Sequence, residues 1–126
     1  MTRTICKTVA APAAIGPYSQ AVSTGNTVYC SGQLPIDMTT GNLADGIADQ
    51  TRIALLNLSK VLESAGSSLS AVLKTTVFMI DLNEFDQMNR VYADFFPNDP
   101  PARSTVQVSK LPKGALVEIE AIALVV

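Results

Sequence analysis

Ala71-Val72-Leu73-Lys74-Thr75-Thr76-Val77-Phe78-Met79-Ile80 is crowded with β-branched and aromatic side chains, the composition of a pleated, half-buried surface. It reads as a central strand covered on at least one side, and a segment of helical period flanks it at each end. In the upstream segment Ile47, Thr51, Ala54, Leu55, Leu58, Leu62 and Ala65 share one face, Asp45 stands where an N-cap belongs, and Gly66 where a C′ glycine belongs. Downstream, Phe85, Met88, Val91, Tyr92, Phe95 and Phe96 recur at three and four residues, with Asn83 placed to cap the helix and Pro97 to end it. Further out lie short strands at Tyr18 to Ser23 and Thr27 to Ser31, separated by the turn Thr24-Gly25-Asn26, and others at Ser104 to Val108 and Val117 to Val125. The order β-β-α-β-α-β-β predicts an α+β fold, a mixed β-sheet with two helices packed on one face.

A chain of 126 residues, 48% hydrophobic and 16% charged, can bury one good core and not two, so residues 1–126 read as a single domain. No apolar run approaches the roughly 20 residues of a membrane helix. The surplus hydrophobicity is therefore expected in subunit contacts, because no third helix remains to cover the other sheet face. A net charge of -2, with no cluster of lysine and arginine, disfavours nucleic acid as a partner. Cys6 and Cys30 lack CxxC spacing, and the chain has no histidine to complete a zinc site, so both read as small buried apolar residues. Met1 to Ala14 contains no apolar core of a secretory signal; the expected compartment is the cytoplasm, with an organelle left open. Without histidine, any general acid or base must be Glu, Asp, Tyr, Lys or Cys.

Period two along the strand from Ser104 sets Arg103, Thr105 and Gln107 on one side, and along the last strand sets Glu118 and Glu120 together. If these strands form an antiparallel hairpin, the polar sides coincide and the three charges approach one another. The loop from Lys110 to Ala115 allows more than one register. An arginine keeps its charge at any ordinary pH, so among apolar neighbours it demands an anion. That anion is either an internal glutamate or a ligand's carboxylate. Two carboxylates for one arginine make a poor stabilising device, because desolvation offsets most of the Coulomb gain. A ligand and a water suit the set better, and a partly buried glutamate has its pKa raised toward the range of a general base. A second cluster joins Ile15-Gly16-Pro17-Tyr18-Ser19-Gln20 to Cys30-Ser31-Gly32-Gln33-Leu34-Pro35: either plain turn chemistry, or a cradle in which the Tyr18 hydroxyl and the Ser31 and Gly32 backbone donate to a small polar ligand.

The strings Ala14-Ile15-Gly16-Pro17-Tyr18-Ser19-Gln20-Ala21, Ser31-Gly32-Gln33-Leu34-Pro35, Lys74-Thr75-Thr76-Val77-Phe78, and Pro101-Ala102-Arg103-Ser104 followed by Glu118-Ile119-Glu120-Ala121 resemble the RidA (YjgF) family of reactive-intermediate imine deaminases across essentially the whole chain. The resemblance implies a chorismate-mutase-like fold assembled as a homotrimer, with ligand clefts between subunits and neither metal nor organic cofactor. It implies hydrolysis of 2-imino acids, such as 2-iminobutanoate and 2-iminopropanoate, to 2-keto acids and ammonia in amino-acid metabolism. By the same resemblance Arg103 grips the substrate carboxylate and Glu118 positions or activates the attacking water. Tyr18, Ser31 and Gly32 complete the cleft, partly from the neighbouring subunit, and Glu120 is a supporting group. Thr105 stands where many members carry cysteine, leaving a hydroxyl in place of a thiol, and the segment from Phe96 to Pro101 is short for the family. Two other readings remain: the arginine cleft holds a small carboxylate without turnover, as a regulatory module, or the protein acts on RNA, which the acidic charge balance disfavours.

Overall fold

In a computed structural model that describes residues 2–126, six strands form one sheet: β1 (Thr4–Cys6), β2 (Ala21–Thr24), β3 (Thr27–Gln33), β4 (Val72–Met79), β5 (Ala102–Gln107) and β6 (Val117–Leu124). Helix α1 (Gly46–Ser64) precedes β4, and α2 (Phe85–Phe95) connects β4 to β5. The expected α+β layout holds, with one strand more than expected at the N-terminus. Thr4-Ile5-Cys6 is too short to show a period, and it is a strand only because it pairs with β2, Cys6 opposite Ala21.

The sheet order is β1-β2-β3-β6-β4-β5, and this corrects the expected hairpin. β5 does not pair with β6. It runs parallel to β4, Thr75 opposite Arg103 and Val77 opposite Thr105, while β6 lies antiparallel between β3 and β4. The reason is the connection: a parallel pair needs a crossover, and α2 supplies it, carrying the chain to the far edge of β4. The 110–115 loop then returns the chain across β4, so the two strands close in sequence are separated by a third.

Both helices cover the same face. Leu55, Leu58 and Leu62 of α1 are fully buried against Val77, Val117 and Ile119, and burying each such side chain is worth roughly 2 kcal/mol. α1 ends as the sequence predicts: Gly66 takes φ +78°, its N–H donates to Glu63 O, and the Ser67 N–H donates to Leu62 O, a Schellman closure. At the start Asp45 holds the N-cap position without a capping side-chain bond. Ahead of α2 it is Asp81 that caps, its carboxylate accepting the Asn83 N–H at 2.9 Å across a short 3-10 turn, Leu82–Glu84; Asn83 is the donor rather than the cap. α2 stops at Phe95, ahead of Pro97 as expected. Between β2 and β3 the connection is two residues, Gly25 with φ +56° and Asn26, the geometry of a tight hairpin.

Among the described residues no helix covers the other face. Ile5, Tyr29 and Val106 are exposed there, each about half open to solvent at 52%, 52% and 42%. Among the described residues no helix is long and apolar enough to cross a membrane.

Gly66→Ala forces a Cβ into left-handed backbone while meeting nothing closer than Val125 Cγ1 at 3.7 Å, so its cost is conformational and not steric. We expect a loss of about 1 kcal/mol in urea denaturation, with unchanged circular dichroism.

Candidate active site in two halves

Gln20 is buried and fully bonded: its Nε2 donates to the carbonyls of Thr8 and Pro12, and its Oε1 accepts the Thr8 N–H at 2.7 Å. This ties the N-terminal segment to the loop carrying Tyr18. The Ser31 hydroxyl donates to Ser19 O at 2.6 Å and the Ser31 N–H to Gln20 O at 2.9 Å, fixing the same loop to β3. Both Ser31 donors are thus engaged inside the fold, so the Ser31 amide is not the ligand donor that the sequence suggested. Ser31 instead holds Tyr18 in place. The Tyr18 oxygen accepts the Ile15 N–H at 3.2 Å, which leaves its own proton uncommitted. Tyr18 and Ser31 border an open cavity of about 450 Å³ together with Arg3 and Tyr29.

Gly32 lies against Glu118. A Cβ at position 32 would come within 2.8 Å of the Glu118 carboxyl carbon, so the missing side chain is the space that the carboxylate fills. Neighbouring segments are anchored as well: the Gln50 side chain accepts the Leu116 N–H at 2.8 Å just ahead of β6, and Asn57 Nδ2 donates to the carbonyls of Leu34 and Ile36. Burial pushes the Glu118 carboxyl above its usual range, and the nearby Glu120 adds to the rise.

Arg103 lies elsewhere. Alternation along β6 buries Val117, Ile119 and Ala121 under the helices and turns Glu118 and Glu120 to the uncovered face, whereas Arg103, paired with the buried Thr75, is on the helix side. Within one chain the arginine and the glutamates are therefore on opposite faces, with β4 between their strands. The expected approach of the three charges does not occur.

What Arg103 meets is aromatic. Its guanidinium carbon lies 4.8 Å from the centroid of Tyr92 and 5.5 Å from that of Phe85, both on α2. Among the described residues no carboxylate pairs with it. It borders an open cavity of about 530 Å³ with Tyr92, Asn89 and Pro101. On the same side of β5, the Thr105 hydroxyl is shielded from solvent and has no hydrogen-bond partner among the described residues. Burial raises the Tyr92 phenol, offset in part by the Thr75 hydrogen bond and the Arg103 charge. Cys30 is buried with its thiol pushed up to about 12, chiefly by burial, so it is no nucleophile at neutral pH. Asn89 and the aromatic pair Phe85 and Tyr92 are the site residues that sequence reasoning missed: an aromatic at helical spacing reads as core, and only the crossover brings this one under the arginine.

The model of the family described as endoribonuclease L-PSP matches residues 8–125. The chain belongs to this family, the RidA (YjgF) family. It is 43% identical over 125 residues to the human 2-iminobutanoate/2-iminopropanoate deaminase, covering 98% of this chain and 91% of the human one. A RutC family protein of Pyrococcus horikoshii is 54% identical over 114 residues, 90% of each chain. Among solved structures, RidA from an Antarctic Psychrobacter superposes with a TM-score of 0.93 at 45% identity, over 96% of this chain and 98% of that one. Escherichia coli TdcF, solved with bound serine, superposes at 0.92 with 44% identity and the same coverage. These relatives bear out the family resemblance and the fold.

Two outcomes test the Glu118 half of the site. Gly32→Ala displaces only the end of a flexible side chain, so stability is expected to stay within about 1 kcal/mol of wild type. The Glu118 carboxyl is expected to move toward solvent, and its pKa, read by carboxyl-carbon NMR titration, to fall toward the ordinary range. Glu118→Gln tests the sign of the linkage. Because the folded-state pKa is raised, the wild-type chain loses stability as pH rises through that value, when a partly buried carboxyl must ionise. Melting temperatures are expected to converge in acid, with the glutamine variant above wild type at neutral pH.

Proposed function

We propose that this protein hydrolyses small 2-imino acids, among them 2-iminobutanoate and 2-iminopropanoate, to 2-keto acids and ammonia, as a cytoplasmic homotrimer whose clefts are each built from two neighbouring chains. The observation that carries the reading is Arg103: a permanent cation at the rim of a cavity, seated on aromatic faces and paired with no carboxylate among the described residues. It is suited to bidentate capture of a carboxylate. The names of the human and other mammalian relatives support the substrate class.

Separation of Arg103 from Glu118 within one chain supports a shared cleft. A second copy that brings its Tyr18, Gly32 and Glu118 against Arg103 and Thr105 completes the set, and the exposed Ile5, Tyr29 and Val106 give association an apolar surface. In such a cleft Arg103 fixes the carboxylate and Thr105 offers its unsatisfied hydroxyl. Glu118, ionised, takes a proton from the attacking water. Oxygen bonds to the iminium carbon, the carbon–nitrogen π electrons move to nitrogen, and the proton held by Glu118 passes to the amine. As ammonia leaves and the carbonyl forms, Glu118 takes the remaining hydroxyl proton and releases it to the departing ammonia as ammonium, which returns the carboxylate to its starting state. The iminium is already a strong electrophile, so orientation and one proton relay suffice without histidine.

TdcF with bound serine supports a second reading, in which the cleft holds an amino or keto acid without turnover. Following imine decay while an amino-acid dehydratase releases 2-iminobutanoate separates the two. Acceleration by the wild-type protein, reduced about a hundredfold in kcat/KM by Arg103→Ala, is the expected result. Mixing Arg103→Ala and Glu118→Gln chains, each strongly impaired alone, is expected to restore a fraction of the rate beyond the sum of the two, since a shared cleft then receives one intact half from each. No recovery on mixing would sink the shared cleft, and no acceleration by wild type would leave the binding reading.

A further inference from the structure

Arg103, Thr75 and Tyr92 form a closed triangle of contacts across three elements. Thr75 of β4 stands opposite Arg103 of β5 in the parallel register. The Thr75 and Tyr92 hydroxyls share a hydrogen bond of 2.7 Å, both residues being buried. The Tyr92 ring in turn lies under the guanidinium at 4.8 Å, and its other neighbour, Phe96, is tilted 38° against it with centroids 4.7 Å apart.

For packing alone this hydroxyl pair is superfluous. Phenylalanine at 92 and valine at 75 fill nearly the same space, and a buried hydroxyl pair adds little over an apolar pair of matching shape. What the bond does add is orientation, because it pins the far end of the ring to the strand beside Arg103. Aromatic contact occupies the face of a guanidinium and leaves its N–H edge for an anion. We propose that Tyr92, pinned by Thr75, is the positioning residue that presents the Arg103 N–H edge to the substrate carboxylate. The inference rests on the reading of Arg103 as carboxylate ligand. It assigns to α2, otherwise a crossover element, control over affinity for the acid group.

Carboxylate capture is made equally in the bound substrate and in the transition state, so loss of positioning raises KM and leaves kcat unchanged. Tyr92→Phe is expected to raise KM for 2-iminobutanoate, and Kd for 2-oxobutanoate measured by calorimetry, about threefold. Tyr92→Leu, which also removes the aromatic face, is expected to raise both about tenfold. The double variant Thr75→Val with Tyr92→Phe is expected to regain wild-type melting while keeping the raised KM, a split that a purely structural role does not produce. Wild-type KM and Kd in Tyr92→Phe and the double variant would overturn the inference, as would a fall in kcat at constant KM. If Arg103→Ala binds 2-oxobutanoate as wild type does, the reading of Arg103 itself fails. If wild type binds it without imine turnover and the Tyr92 variants bind it more weakly, the positioning role stands and catalysis falls.

Discussion

The parallel pairing of β5 with β4 is the constraint on which the rest of the site depends. Parallel strands cannot be joined by a tight turn, so α2 must bridge them and return the chain to the sheet edge. That geometry does two things together: it turns Arg103 toward the helix that made the crossing, and it leaves β4 between Arg103 and every carboxylate of β6. An antiparallel hairpin of the same two sequences would have let the charges cancel internally. The crossover removes that option, and a cation over aromatic rings is what remains.

Holding such a cation costs less here than full burial would. At the cavity rim the guanidinium keeps contact with solvent, while the π faces of Tyr92 and Phe85 supply part of the lost hydration. Glu118 is the complementary case: half-buried, beside Glu120, with Gly32 making room for its carboxylate. Each group is less comfortable in the isolated chain than it would be facing a partner of opposite charge. On the proposed function that partner is a zwitterionic substrate, whose carboxylate suits Arg103 and whose iminium suits Glu118.

Much of this was legible from residues alone, and the boundary of legibility has a physical cause. Hydrophobic period revealed both helices and the β4 strand, and Gly66 and Pro97 marked helix ends through backbone rules that tertiary context seldom overrides. Alternation also showed correctly that Arg103, Thr105 and Gln107 share a side, and that Glu118 and Glu120 share one. It could not show whether the two sides were the same side, because period two fixes faces within a strand and says nothing of which strand lies next. The error about β5 and β6 arose there. Thr4–Cys6 escaped for a related reason: three residues carry no period, and the pairing with β2 is what makes them a strand. Tyr92 was legible as core, which it is; that its ring also underlies the arginine depends on the crossover.

The absence of histidine becomes intelligible on the same footing. On the proposed function a general base is needed, and burial with a like charge beside it raises the Glu118 pKa in the direction that suits one. Both conditions destabilise the ionised chain, so the features that would make Glu118 useful are features a fold selected for stability alone would discard. The Gly32 gap points the same way, since it provides room for a charge and contributes no packing of its own. A purely structural account of Glu118 has to explain a half-buried carboxylate set beside another carboxylate and forming no ion pair among the described residues. An account in which an incoming cation relieves it needs only the second half of the cleft.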